Sequence, residues 1–229
     1  MKRVVLAVLV LAMAVSMASA QTTQVLSRNA VGYTMFTVPP LGFNLVRLDF
    51  NGLGGSIVLS NAVGSQLPDL SQVIIWQPSL QTYKYLTKAR GAWPEGTTVL
   101  TRGSAIFLKG ASNAAMTNYQ VFFMGEVPDR FTATNSTVTV FGSNAFSFVG
   151  YSYPVAIAFS NLAVGPSLSN LSQVALWDMN AQSYNIFSKG RGTWPPALAS
   201  NIIQAGQGFW IRNVSNAVNW VEVKPYTWP

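Results

Sequence analysis

The chain has 229 residues, of which 49% are apolar and 9% are charged, so it is long enough for one or two packed domains and too apolar for general disorder. It contains no His and no Cys, which excludes a Ser-His-Asp triad, a Cys nucleophile and a zinc site of the usual ligand type. Only seven residues are acidic, and we therefore expect a protein that is not an enzyme and that holds no metal and no cofactor.

Residues 1–20 have the pattern of a secretory signal peptide. Lys2 and Arg3 precede an apolar segment that is short for a membrane span, and Ala18-Ser19-Ala20 supplies the small residues that a signal peptidase accepts. We predict cleavage after Ala20, a secreted or cell-surface location, and no transmembrane segment in the mature chain. The 14 basic and seven acidic residues give a net charge of +7, and the loss of Lys2 and Arg3 leaves +5.

Segments with the composition of β-strands follow one another along the chain, each rich in β-branched and aromatic residues and bounded by turn formers. Up to residue 126 we predict strands at Phe43–Phe50, Gln72–Trp76, Tyr83–Thr87, Ala105–Lys109 and Tyr119–Glu126. Beyond residue 130 we predict strands at Thr134–Phe141, Val174–Trp177, Tyr184–Ser188, Gly208–Arg212 and Val218–Val223. Helix signals are weak, and they are confined to Ser56–Val63 and Phe159–Val164.

An internal repeat is the strongest signal in the sequence. Leu70–Pro94 aligns without a gap with Leu171–Pro195, and 12 of the 25 positions are identical. The similarity extends upstream, where residues 43–46 match residues 146–149. A unit of roughly 100 residues is far longer than the repeats of solenoid proteins. The repeat therefore indicates a duplicated domain, or two halves of one pseudo-symmetric domain.

The repeat and the turn residues together define the expected architecture. Pro78-Ser79 and Met179-Asn180 lie where hairpins would turn, and the polar segment Asp129–Ser136 is the best candidate linker. We expect a first β repeat at 21–130, a connecting segment or strand at 131–140 and a second β repeat at 141–229. The predicted fold is all-β: two tandem copies of an antiparallel β module, sandwich- or barrel-like, with little helix.

A tryptophan and two cations recur at the same spacing in both copies. The candidate binding residues are Lys88, Arg90, Trp93, Lys189, Arg191 and Trp194. Each Trp stands in a Gly-x-Trp-Pro turn, a position that favours exposure, and an arginine beside it can stack on its ring for about 0.5–2 kcal/mol. Exposed rings of this kind bind sugars. The alternative is that the repeated aromatic residues fill the core and that the cations stack on them structurally.

Two other patterns offer weaker hypotheses. Paired carboxylates are the only common hydrolytic device left, and Glu126 and Glu222 stand at matching places that a pseudo-two-fold axis could bring together, although backbone-capping or solvated acids explain them better. Gly206-Gln207-Gly208 lacks the third glycine and the helix of a dinucleotide loop, so we expect a close backbone approach there.

The order Trp, turn, Tyr, Gly-x-Trp and Gly-x-Gly-Phe-Trp occupies residues 72–127 and 173–223, about half of the chain. In this order the chain resembles an uncharacterised β-rich repeat module of secreted bacterial proteins. The resemblance carries over no activity and no catalytic residue.

Low charge, many Asn, Gln, Ser and Thr residues and a positive mean hydropathy predict a surface that loses little hydration when it packs against another subunit. We therefore expect a secreted structural or surface-assembly protein, such as a matrix, coat or filament subunit, whose partner is itself. The alternative is an extracellular module that binds a cell-surface polysaccharide. Nucleic acid is not an expected partner, because the basic residues are scattered.

Overall fold

The computed structural model describes residues 30–53, 56–113, 115, 117–128 and 135–226. The predicted signal peptide and residues 129–134 of the predicted linker lie outside the described residues. Strands make up 49% and helices 8% of the structure, and the sheets are antiparallel and form two similar groups. The predicted fold class, two copies of an antiparallel β module with little helix, is therefore confirmed.

Sixteen strands are numbered in chain order through the described residues. The first half, residues 30–128, contains β1 (Val31–Val38), β2 (Phe43–Arg47), β3 (Ile57–Val58), β4 (Gln72–Gln77), β5 (Thr82–Thr87), β6 (Val99–Leu100), β7 (Ala105–Lys109) and β8 (Tyr119–Glu126). The second half, residues 135–226, contains β9 (Asn135–Val140), β10 (Ala145–Gly150), β11 (Ile157–Ala158), β12 (Gln173–Asp178), β13 (Ser183–Ser188), β14 (Ile202–Ile203), β15 (Gly208–Asn213) and β16 (Val218–Val223). Short helices lie at Leu59–Ala62, Val164–Ser167 and Pro196–Ala199, with a 3₁₀ turn at Phe159–Asn161.

The two halves pair their strands in the same way. In the first half, β1 and β8 form the first ribbon, and the first sheet has the order β2-β7-β4-β5. In the second half, β9 and β16 form the second ribbon, and the second sheet has the order β10-β15-β12-β13. Each half also has a two-residue pair, β3 with β6 and β11 with β14. Because β9 pairs with β16, the segment that we expected to be a connection or a strand contributes a strand to the second half.

Most predicted strands are present, and the differences have a local cause. The predictions for β7, β8 and β16 are confirmed to the residue. The predicted strand Phe43–Phe50 ends at Arg47, because the chain then leaves the first sheet and crosses to β8, where Asn51 exchanges two backbone hydrogen bonds with Glu126, each of 2.9 Å. We predicted no strand for β1, whose apolar residues do not follow a simple alternation, and none for β10.

The strands stack into four layers, in the order first ribbon, first sheet, second sheet and second ribbon. One core lies between each ribbon and its own sheet, with Val46, Val73 and Val121 in the first half and Val149, Val174 and Trp220 in the second. A third cluster lies between the two sheets and includes Leu45, Ile74, Ala105, Phe107, Phe148 and Trp210. Both faces of each sheet are therefore covered, which explains the unbroken apolar sequence Ala105–Leu108 in β7.

Candidate functional site

The two lysines among the predicted binding residues are buried and serve the fold. Lys88 Nζ donates to the carbonyl oxygens of Gly64, at 3.2 Å, and Leu67, at 2.7 Å. In the second half, Lys189 Nζ donates to three carbonyl oxygens, those of Gly165, Pro166 and Leu168. Each ammonium therefore closes the loop that precedes β4 or β12, and burial lowers the pKa of Lys189.

The two tryptophans beside these lysines are also held by the fold. Trp93 is 8% exposed and donates from Nε1 to the carbonyl of Gly64, at 2.8 Å. Trp194 is half-buried and donates in the same way to Gly165, at 3.0 Å. The cation over each ring is the lysine, with Nζ 5.8 Å and 5.9 Å from the respective ring centres. A cation therefore stacks on each ring, but it is the lysine and not the arginine that we predicted.

Arg90 and Arg191 are the members of the predicted set that are open to solvent. Both have a φ of 51°, and the next residue is a glycine. The N–H of this glycine donates to the side chain of Asp69 before β4 or of Asn170 before β12. The structure thus separates the six predicted residues into four that hold loops and two exposed cations.

The repeated aromatic residues in the hairpins join the two halves. Trp76 Nε1 donates to the carbonyl of Phe146 at 3.0 Å, and Trp177 Nε1 donates to the carbonyl of Phe43 at 3.1 Å. Phe43 and Phe146 are the first matched residues of β2 and β10, so each hairpin reaches an outer strand of the opposite sheet. These tryptophans are therefore contacts across a pseudo-two-fold axis, and the repeat reflects an interface that both halves share.

Two repeated glutamines add further hydrogen bonds between the two halves. Gln81 accepts from the backbone N–H of Phe146 at 2.8 Å and donates to its carbonyl at 3.1 Å. Gln182 accepts from the N–H of Phe43 at 2.7 Å and donates to its carbonyl at 3.0 Å. Each side-chain amide thus bonds to the backbone N–H and carbonyl of one residue, as a neighbouring strand would. In this way it covers one end of the outer strand of the other half.

The other ends of β2 and β10 are closed in a matched way. Arg47 N donates to the carbonyl of Gly206 at 2.7 Å, and Gly150 N donates to the carbonyl of Gly103 at 3.2 Å. A Cβ on Gly206 would overlap the ring of Phe36, so the backbone approaches the first ribbon closely there. The expectation for Gly206-Gln207-Gly208 is borne out.

A buried ion pair breaks the symmetry at this junction. Arg47 contacts the carboxylate of Asp49, both side chains are fully buried, and Arg47 Nη2 donates to the carbonyl of Tyr153 in the second half. Burial lowers the pKa of Arg47 to about 10 and raises the pKa of Asp49 to about 6, although Arg47 and the hydroxyl of Thr34 oppose the latter shift. The sequence offered no signal for this pair beyond two opposite charges two residues apart.

The acids that we compared as a hydrolytic pair have separate places. Glu222 Oε1 accepts from Trp220 Nε1 at 2.6 Å and from the backbone N–H of Ala163 at 2.7 Å, so this buried carboxylate anchors the second ribbon. Glu126 pairs through its backbone with Asn51 at the end of β8. Among the described residues there is no group of three or more potential metal-ligating side chains.

Two clefts lie where the halves meet. One, of about 400 Å³, has a mainly apolar lining: Gly32, Tyr33, Phe50, Val127, Pro154, Val155 and Tyr226. The other, of about 220 Å³, has a mixed lining: Arg102 and the hydroxyl-bearing residues Thr101, Ser104, Thr137, Thr139 and Ser147, together with Pro78, Gly103, Val138, Phe141, Phe148 and Val149. The first suits an apolar group, and the second suits a polar ligand that carries hydroxyl or anionic groups.

Comparisons with protein-family models, with curated proteins and with solved structures find no match to this chain. In the part of the chain that the structure describes, no helix has the length and apolar character needed to cross a membrane.

Proposed function

We propose that the protein is a secreted, non-catalytic structural protein that assembles with copies of itself. The leader-like residues 1–20 support export, and the open strand edges of the two sheets support self-assembly. The repeat module that the sequence resembles fits the same proposal and adds no activity to it.

The contrast between closed and open sheet edges carries this proposal. The outer strands β2 and β10 are closed at both ends by the opposite half, as described above. The other outer strands, β5 and β13, end their sheets without a further paired strand among the described residues. An outer strand of six residues presents backbone donors and acceptors that a strand of another copy can pair with.

The side chains of these two strands do little to prevent such pairing. β13 contains no charged residue and no proline, and β5 contains one lysine, Lys84, whose ammonium contacts Glu95. Tyr85 in β5 and Ile186 in β13 occupy matching positions and are 59% and 62% exposed. Charges, prolines and bulges are the usual protection of an edge strand, and their scarcity here favours pairing.

The positions of the two edges favour a linear assembly. β5 and β13 belong to different halves, so a β5 edge of one copy can pair with a β13 edge of the next while the remaining edges stay open. A contact between unlike surfaces that does not close on itself produces a filament. The protein therefore fits the role of a filament or matrix subunit.

Electron microscopy and size-exclusion chromatography of the mature chain test this proposal. We expect wild-type protein to form regular filaments, and we expect Tyr85→Lys together with Ile186→Lys to abolish them, because a charge at each edge must be desolvated on pairing. Val223→Lys, at an exposed position of the second ribbon, is the matched control and should leave the filaments intact. Wild-type protein that stays a single small species at high concentration would refute the proposal.

The cleft that contains Arg102 supports a second candidate function, binding of an acidic glycan. Arg102 and five hydroxyl-bearing residues line one cavity at the junction of the halves. A guanidinium pairs well with a sugar carboxylate, and hydroxyl groups bond to the ring substituents. This arrangement moves the predicted glycan contact away from the buried Trp93 and toward Arg102.

Calorimetric titration with a uronate polymer tests the second candidate. We expect Arg102→Gln to weaken binding at least tenfold, whereas Arg90→Gln, at an exposed cation outside the cleft, should leave affinity unchanged. Equal losses for the two variants would indicate attraction to the basic surface in general and would exclude a site at the cleft.

A further inference from the structure

The outer face of the first ribbon is apolar and open. Val31, Tyr33 and Met35 of β1 point to the same side as Phe122 and Met124 of β8, and we call these five side chains the apolar ribbon face. Tyr33 pairs with Met124 and Met35 pairs with Phe122 in the strand register, so the face is continuous. Tyr33 and Met124 are 67% and 65% exposed.

The backbone beneath this face is held firmly. The opposite side of the ribbon is buried, with Phe36 and Phe123 packed edge to face in the first core at 5.0 Å between ring centres. Gln66 accepts from the backbone N–H of Phe122 at 2.6 Å and donates to its carbonyl at 3.1 Å, so the outer edge of β8 is occupied at that point. A partner would therefore meet the side chains of the face rather than add a strand at Phe122.

The second ribbon shows that the fold does not require an apolar outer face. Its outer positions are Asn135, Thr137, Thr139, Asn219, Val221 and Val223, all exposed. The two ribbons have the same place in their halves and the same two-strand pairing, yet the outer face of the first carries two methionines, a tyrosine and a phenylalanine, whereas the apolar residues of the second are the smaller Val221 and Val223. The second ribbon buries its inner face against its sheet although its outer face is mainly polar. Folding of the monomer therefore does not require the apolar ribbon face, and contact with a partner would explain it.

The extent of the face matches what a homodimer needs. Its five side chains leave on the order of 500 Å² of apolar surface open to water, a continuous patch of the size that marks an interaction site. A standard interface buries about 800 Å² per partner, and in homodimers about 65% of that is apolar, which again gives about 500 Å². The apolar ribbon face with a polar rim is therefore large enough for a stable pair.

The charges of the face favour a second copy over other partners. Among the outward positions of β1 and β8, Glu126 at one end is the only charged residue, and no lysine or arginine is present. An anionic polymer or an acidic lipid surface therefore finds no cation on the face. Two copies of the face can approach without like-charge repulsion at the centre of the contact.

We infer that the apolar ribbon face is a homodimer contact, covered by the same face of a second copy across a two-fold axis. Each chain has one such face, so this contact closes as a pair and does not propagate. The inference rests on the proposed self-assembly but uses a surface distinct from the edges β5 and β13. Filaments that grow through the edges would then be joined side by side through their ribbons.

Sedimentation equilibrium of the edge-blocked chain, Tyr85→Lys with Ile186→Lys, tests this inference without interference from filaments. We expect a monomer–dimer equilibrium, and we expect Met35→Glu in the same chain to raise the dissociation constant at least tenfold. The matched control is Thr137→Glu on the outer face of the second ribbon, which should not change dimerisation. Because both positions are exposed, near-ultraviolet circular dichroism should show the same fold in all three proteins.

The outcomes separate this inference from the proposed function. Filaments absent from wild-type protein, with the edge-blocked dimer present, would remove the filament proposal and leave the dimer contact standing. A monomer at about 100 µM, or a dimer that survives Met35→Glu, would overturn the inference. Binding to phosphatidylcholine vesicles that Met35→Glu abolishes, or dimerisation that appears only after removal of residues 21–29, would also overturn it, by identifying a lipid surface or the chain's own N-terminal segment as the occupant.

Discussion

The two halves of the molecule have the same strand order, and two of the differences between them are informative. They share the hairpin tryptophans, the bracketing glutamines and the buried lysines, at equivalent positions and with nearly equal distances. They differ at the junction, where Arg47 and Asp49 of the first half correspond in the repeat to Gly150 and Ser152 of the second, and on the outer faces of their ribbons. A duplicated interface must keep the residues that serve both halves, whereas features needed once are free to diverge.

The packing at the junction explains why the ion pair is present in the first half and not at the matching positions of the second. A Cβ on Gly150 would collide with the side chain of Arg47, so the absence of a side chain in the second half makes room for the long side chain of the first. A second arginine at position 150 would have to occupy the same space. The asymmetry is therefore steric, and it places one buried ion pair near the centre of the molecule.

The largest expected effect comes from breaking this ion pair. Asp49→Asn leaves the guanidinium of Arg47 buried without its counter-charge, and we expect a loss of about 3–5 kcal/mol in the free energy of unfolding. Urea denaturation followed by tryptophan fluorescence measures it. Ser152→Ala, at the matching position of the second half, should cost less than about 1 kcal/mol. Recovery of at least half of the loss on adding Arg47→Met would confirm that the uncompensated charge is the cause.

The buried lysines should rank next. Lys88→Met and Lys189→Met each remove a charged donor from backbone carbonyls while keeping the apolar stem, and we expect losses of about 2–3 kcal/mol. The Lys189 variant should lose at least as much as the Lys88 variant, because its ammonium serves three carbonyls against two. Chemical denaturation of the two variants side by side decides the order, and the reverse order would contradict this account.

The glutamine brackets test the pseudo-symmetry itself. Gln81→Ala and Gln182→Ala each leave one backbone N–H of an outer strand without its side-chain partner and remove one of the two side-chain donors to the carbonyl of the same residue, at an exposed site, so we expect about 1 kcal/mol for each. The two losses should agree within about 0.5 kcal/mol and should add in the double variant, since the brackets lie at separate ends of the junction. Clearly unequal losses would show that the two ends are not equivalent.

The smallest expected effect concerns the acid of the second ribbon. Burial raises the pKa of Glu222 above its ordinary value of 4.5, so the unfolded chain gives up this proton at a lower pH than the folded chain does. The contribution to stability is therefore complete below about pH 4.5 and is lost as the pH rises through the folded pKa. Glu222→Gln keeps an acceptor for Trp220, and we expect the stability of this variant to fall less between pH 4 and pH 7. An unchanged pH profile would contradict the role of burial.

Much of the fold could be predicted locally, whereas little of the site could. We could recognise β4, β5 and β7 because each is a short run rich in β-branched, aromatic or other apolar residues, with turn-forming residues on both sides. The burial of Trp93 and Lys88 could not be predicted in this way, because their side chains donate hydrogen bonds to carbonyls of a loop that lies more than twenty residues earlier in the chain. The repeat identified them as important in both copies, but repetition alone does not distinguish a shared ligand contact from a shared loop anchor.

The sequence contains a pattern that indicates the apolar ribbon face and that we did not interpret in this way. Val121–Met124 is apolar at four consecutive positions, so a strand there carries apolar residues on both faces, and one of those faces must be covered by something. Which face stays open is decided by the packing of the ribbon on its own sheet.

The amino-acid sequence by itself determined most of the longer strands, the hairpin turns and the duplication, since these follow from side-chain periodicity and turn chemistry over short distances. Only the tertiary structure decided which sheet edges are closed, which cations are buried and which apolar side chains remain in contact with water. The physical reason is that burial of a given residue depends on what the opposite half, about a hundred residues away, brings against it.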